Sequence, residues 1–127
     1  MLYAILCYDD ENVVCNWSRE EDDATMARLG AVNARMAEKG KLGPVARLMP
    51  TTAATTLRKA GQDSFIIDGP FAETKEQFLG FFVVDCESLD EVIAYAKELA
   101  EAHPSTGSYE IRPLMTYFPP GNGKWQT

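Results

Sequence analysis

Four ionisable side chains fall within one short turn sequence, Asp68-Gly69-Pro70-Phe71-Ala72-Glu73-Thr74-Lys75-Glu76, set directly after the apolar run Phe65-Ile66-Ile67. Proline fixes φ near −65° and biases Gly69 toward extended geometry, so the chain must turn sharply here. The turn would deliver carboxylates and an ammonium to the end of a sheet. Asp68 suits an acid or base, because a partly desolvated carboxylate has a raised pKa suited to proton transfer. On local chemistry alone a turn cap is the favoured reading. Lys75 suits contact with a substrate anion and Glu73 a secondary carboxylate; alternating charges in such a segment also describe a solvated surface with weak ion pairs.

Three further residues join them. His103, the single histidine, precedes Pro104 and reads either as a helix-end residue or as the acid–base partner of Asp68. Arg112 lies beside Pro113 in a strand-like segment and suits a glutamate partner or a bidentate anion contact. Tyr8 ends the first apolar run and offers a hydroxyl, or packs as core.

The stretch from Asp68 to Gln77, DGPFAETKEQ, resembles the signature of the YCII-related family, in its DGPF-domain branch. Supporting segments are Leu2 to Tyr8, Thr52 to Arg58, Gly80-Phe81-Phe82 and Glu110-Ile111-Arg112-Pro113-Leu114. The resemblance implies a ferredoxin-like α+β fold pairing into a dimeric α+β barrel, with an active-site cleft containing acidic residues. It moves Asp68 from turn cap to candidate site residue. Family members also resemble domains attached to, or encoded beside, extracytoplasmic-function sigma factors, which implies a regulatory alternative acting through protein contacts.

The 127 residues, 46% hydrophobic and 24% charged, are enough for one domain with its own core. We expect that domain over residues 1–118, followed by a tail over 119–127. The formal net charge of −7 disfavours nucleic-acid phosphates and anionic membrane surfaces. No apolar run approaches the roughly 20 residues needed to span a bilayer. Cys7, Cys15 and Cys86 lack the spacing of a zinc or redox motif, and Cys7 and Cys86 sit in apolar runs as packing residues. With no basic leader in Met1-Leu2-Tyr3, the expected location is cytoplasmic. One histidine and scattered carboxylates make no metal ligand set, and no nucleotide-binding loop is present, so no cofactor is expected.

The elements that must position these residues follow from periodicity. Leu2 to Tyr8 is a nearly continuous apolar run suited to a central strand. Ser18 with Glu21, and Ser88 with Glu91, have capping-box spacing. The first opens a helix carrying Leu29, Val32 and Met36 and ending at Gly40; the second opens one carrying Leu89, Val92, Ile93, Ala96 and Leu99. Gly30 inside the first helix suggests close packing against the sheet. Leu42 to Met49 reads as a loop or short strand. Ala54 to Arg58 and Ser64 to Asp68 form a hairpin, Phe78 to Cys86 a strand and Gly107 to Leu114 the last strand.

The predicted architecture is a mostly antiparallel sheet with two helices on one face. Aromatics at Phe81, Phe82, Tyr109, Tyr117 and Phe118 suggest that the other face closes against a second subunit. A homodimer handling a small polar or carboxylated molecule by cofactor-free proton transfer is the expected function, with Asp68 and His103 as acid and base and Lys75, Glu73, Arg112 and Tyr8 as binding residues. The tail, including Trp125, would cross to the partner or fray.

Overall fold

The structure is a computed structural model and describes residues 1–121 and 123. Most of the tail expected to cross or fray, including Trp125, lies outside the described residues. Among the described residues six strands and three α-helices are formed, with a short 3-10 turn over Thr51–Ala53: β1 (Leu2–Asp9), α1 (Glu11–Val14), α2 (Arg19–Glu38), β2 (Leu42–Arg47), β3 (Thr55–Ala60), β4 (Asp63–Asp68), β5 (Gln77–Asp85), α3 (Leu89–Ala102) and β6 (Ser108–Pro113).

Four strands pair in the order β2-β5-β1-β6, every neighbour antiparallel. This is the ferredoxin-like α+β arrangement, with β3 and β4 forming a separate two-stranded sheet between the second and third strands of the frame. Two hydrogen bonds to the Gly69 main chain close the hairpin's base: the Gly69 amide donates to Ala54 O at 2.8 Å and the Thr56 hydroxyl to Gly69 O at 2.8 Å.

Both serines cap their helices as the spacing predicts. The Glu21 amide donates to Ser18 Oγ at 3.0 Å and the Glu91 amide to Ser88 Oγ at 3.2 Å, satisfying donors that would otherwise be orphaned at each helix start. α2 stops where Gly40 takes φ 70°, allowing the Lys41 amide to turn back to Met36 O at 3.1 Å. Thr25 on α2 is fully buried and accepts from Arg28, whose Nε donates to Ala102 O at 2.9 Å. These bonds hold the first half of α2 against the C-terminal end of α3.

Alternation along the strands decides which face is covered. Tyr3 and Ile5 of β1, with Phe82 and Val84 opposite them, turn toward the helices and meet Val32, Met36, Val92, Tyr95 and Leu99 in one core. Phe82 and Tyr109 therefore belong to the helix-covered face, correcting the expectation that they line the open one; Phe82 is buried and Tyr109 packs against the core. Ala4, Leu6, Tyr8 and Phe81 point the opposite way, and β1 is covered by helices on one face only. Gly30 also departs from expectation, since a Cβ built on it has no atom within 4 Å. It opens space rather than admitting close packing.

Candidate active site

Between α2 and the helix-facing side of the sheet lies a cleft of about 200 Å³. Met26, Leu29, Gly30 and Asn33 supply its α2 wall, a spacing that places all four on one helix face. Cys7, Gly80 and Phe82 line the sheet side. Gly80 is required by strand packing, because a Cβ there would come 2.5 Å from the Ala46 carbonyl oxygen. The walls are predominantly apolar.

Polar groups gather where β1 ends and α3 ends. Asp9, the last residue of β1, is buried, and its Oδ1 accepts the Asp10 amide at 2.7 Å. The Ser105 hydroxyl donates to Asp9 Oδ2. His103, the C-cap of α3, brings Nδ1 to 3.8 Å from the same oxygen and 3.4 Å from Ser105 Oγ. The imidazole packs against Trp17, with ring centroids 5.0 Å apart. Gly107 allows this corner to close, because a Cβ there would lie 2.6 Å from Tyr8 O and 3.1 Å from Asp9 Oδ2.

Electrostatics set the histidine's state. Only 16% of the His103 side chain is exposed, and desolvation holds its pKa below the ordinary 6.5, with Asp9 opposing and Arg47 and Arg28 reinforcing the shift. The neutral imidazole is thus the prevailing form at pH 7. With Nδ1 directed at Asp9 and Ser105, Nε2 has no hydrogen-bond partner among the described residues. Burial pushes the Cys7 thiol up to about 12 and Tyr109 to about 12, so neither ionises near neutrality. At the mouth Arg47 makes a two-pronged contact with Asp22, at 2.7 and 3.2 Å. Among the described residues, no group of three His, Cys, Asp or Glu side chains is arranged to hold a metal ion.

The residues singled out from the sequence are dispersed. His103 lines the cleft and Tyr8 borders it from β1, but the Tyr8 side chain is turned to the open sheet face, where its hydroxyl donates to Glu110 at 3.4 Å and its ring packs on Phe78 at 5.5 Å. Asp68 and Glu73 line a different groove with Glu11, Thr51, Thr74 and Gln77, sharing no residue with the first. Asp68 is exposed, and its carboxylate has no hydrogen-bond partner among the described residues. Its turn is held by the main-chain bonds around Gly69 instead. Lys75 and Arg112 are exposed and line neither cavity. Arg112 sits opposite Ala4 on the open sheet face, near Tyr8 and Glu110.

His103 therefore meets Asp9, not the Asp68 expected from the sequence. Asp9, Ser105, Trp17, Arg47 and Asn33 were not singled out by sequence reasoning. Asp9 offered one signal, an acid directly after the apolar run Leu2 to Tyr8, and Ser105 another, a hydroxyl two residues beyond the only histidine.

A family model for the YCII-related domain matches residues 1–117, spanning every strand and helix described above. The chain belongs to the YCII-related domain family. It is also similar to an uncharacterized protein of Rhizobium meliloti (strain 1021), at 60% identity over 119 residues, covering 94% of this chain and 96% of that relative. In this YCII-related chain, a buried carboxylate, a desolvated imidazole and a cavity coincide at the Asp9 corner.

Proposed function

We propose that this YCII-related protein performs acid–base chemistry on a small molecule bound between α2 and the sheet, with His103 as the proton-transfer group. The observation that carries this reading is the placement of the Asp9–Ser105–His103 cluster at the end of a largely apolar cleft. A neutral imidazole oriented through Nδ1 leaves Nε2 as the base, and the resulting imidazolium gains support from Asp9. Low surrounding dielectric strengthens that support. The apolar walls shift the preferred ligand from the polar or carboxylated class toward one with an apolar body and a single ionisable centre. No cofactor takes part in this scheme, and its setting is cytoplasmic; among the described residues, no helix is long and apolar enough to cross a membrane.

The test is hydrogen–deuterium exchange at carbon. A panel of C–H acids, including nitroalkanes, β-diketones and aryl ketones, is incubated in D₂O with the protein and with His103→Gln. Exchange catalysed by the parent and lost in the variant is expected for at least one class. Identical exchange with both proteins would remove His103 from the reading.

The same reading includes a homodimer paired through the open sheet face, where Ala4, Leu6 and Phe81 have no covering helix. Sheet faces of this kind are stabilised when a second layer removes them from water. A noncatalytic alternative, contact with a sigma factor, draws on the β3–β4 hairpin, whose Leu57, Phe65 and Ile66 are 61%, 49% and 62% exposed. Copurification of a sigma factor that depends on Leu57 and Ile66 would favour it.

A further inference from the structure

Asn33 lies on the cleft face of α2, and its partner is on the neighbouring helix. The Tyr95 hydroxyl donates to Asn33 Oδ1 at 2.5 Å. Tyr95 is 2% exposed, and Asn33 is the acceptor its hydroxyl finds. Turning the amide over would leave that buried O–H facing an NH₂ group with nothing to accept its proton, a costly arrangement. Burial raises the Tyr95 pKa, so the hydroxyl keeps its proton and remains a donor. The amide orientation is thereby fixed: the oxygen is committed to Tyr95, and Nδ2, with no hydrogen-bond partner among the described residues, remains to serve the cleft.

We infer that Asn33 is the ligand-anchoring residue of the cleft and that the ligand is an apolar molecule carrying a carbonyl or similar oxygen acceptor, received by the Asn33 NH₂. The inference rests on the cleft reading above and names the substrate class for it. Its geometry is that of an elongated site. Met26, Gly30 and Asn33 follow one another at helical intervals, and the span from Met26 to Asn33 is about 10 Å at the α-helical rise. Arg28 ties the earlier part of α2 to Ala102, next to His103, whereas Asn33 is tied to Tyr95 in the middle of α3. The donor and the acid–base corner consequently stand at opposite ends of one apolar channel. Gly30 lies between them, where the absent side chain leaves room for the body of the ligand. A donor preset in an apolar wall discriminates by leaving itself unpaired against a ligand that lacks the acceptor.

Acetophenone and ethylbenzene serve as matched probes, nearly equal in size and differing in the carbonyl. Amide-detected NMR titration of the full chain gives both affinities and the side-chain ¹⁵NH₂ signals of Asn33. We expect acetophenone to bind roughly five- to tenfold more tightly, as one net hydrogen bond implies, and to move the Asn33 NH₂ signals, while ethylbenzene leaves them in place. Asn33→Asp retains the acceptor for Tyr95, removes the donor, and should abolish the preference. Tyr95→Phe should weaken it by freeing the amide to turn, and it serves if the aspartate variant fails to fold. Equal affinities, or a preference that survives both substitutions, would overturn the role of Asn33 while leaving the acid–base cleft standing. Failure of both probes to perturb any cleft residue would count against the cleft reading and the anchor together.

Discussion

The carboxylate of Asp9 and the imidazole of His103 stand 3.8 Å apart, with Ser105 close to both, at a corner formed by the ends of β1 and α3. Desolvation dominates the histidine's titration and Asp9 only moderates it. The chain's single imidazole can be followed without assignment ambiguity. In an NMR pH titration, His103 should titrate below 6.5, and Asp9→Asn should lower its pKa further by removing the charge that favours the imidazolium. Asp68→Asn should leave it unmoved, since that carboxylate lines a separate groove. A His103 pKa that follows Asp68 and ignores Asp9 would contradict this geometry.

The same shift predicts a pH dependence of stability. A buried imidazole with a depressed pKa binds its proton less readily in the folded chain than in the unfolded one. Its stabilising contribution is thus complete above pH 6.5 and is lost as pH falls from 6.5 through the depressed value. Urea midpoints of the parent should decline across that interval, and His103→Asn should flatten the decline.

Asp9→Ala should be markedly destabilising. It leaves the Ser105 hydroxyl and the Asp10 amide without their acceptor in a buried corner, a loss of about 2–4 kcal/mol. Chemical denaturation gives the value directly. A loss below about 0.5 kcal/mol would show that water substitutes freely for the carboxylate.

Two glycines should respond in opposite ways. Gly30→Ala meets no atom within 4 Å and should stabilise α2 by up to about 1 kcal/mol, whereas Gly30→Phe should fill the cleft and abolish acetophenone binding. Gly107→Ala forces a Cβ against Tyr8 O and Asp9 Oδ2, costs on the order of 1–3 kcal/mol, and should move the His103 titration as the corner opens. Thermal melts and the imidazole titration read both effects.

Leu6→Arg on the open sheet face should convert a dimer to monomers in sedimentation experiments while leaving the fold intact, because Leu6 points away from the helix-covered core. A parent protein of monomeric mass at micromolar concentration would remove the pairing from the proposal.

What could be read in the sequence was local. Ser18 with Glu21 and Ser88 with Glu91 announce helix starts because a cap needs only its own neighbours. The apolar run of β1 and the Gly40 stop are legible for the same reason. Asp9 and Ser105 are 96 positions apart, and nothing near either residue reveals that β1, α3 and β6 converge on them. Asp68 drew attention because its turn is chemically crowded, yet the main-chain bonds of Gly69 satisfy the turn without the carboxylate. Tyr95 and Asn33 were equally illegible: a tyrosine and an asparagine on separate helices acquire meaning once α2 packs against α3.

The four-stranded frame is complete without β3 and β4, which pair in a sheet of their own, closed at its base by the bonds that join Ala54 and Thr56 to Gly69. The hairpin can therefore lengthen, shorten or change its exposed side chains without altering any pairing of the frame, while the cleft draws residues from β1, α2, β2 and β5 and the cap of α3. Divergence within such a scaffold has two separate rates open to it, fast for what the hairpin touches and slow for what the cleft holds.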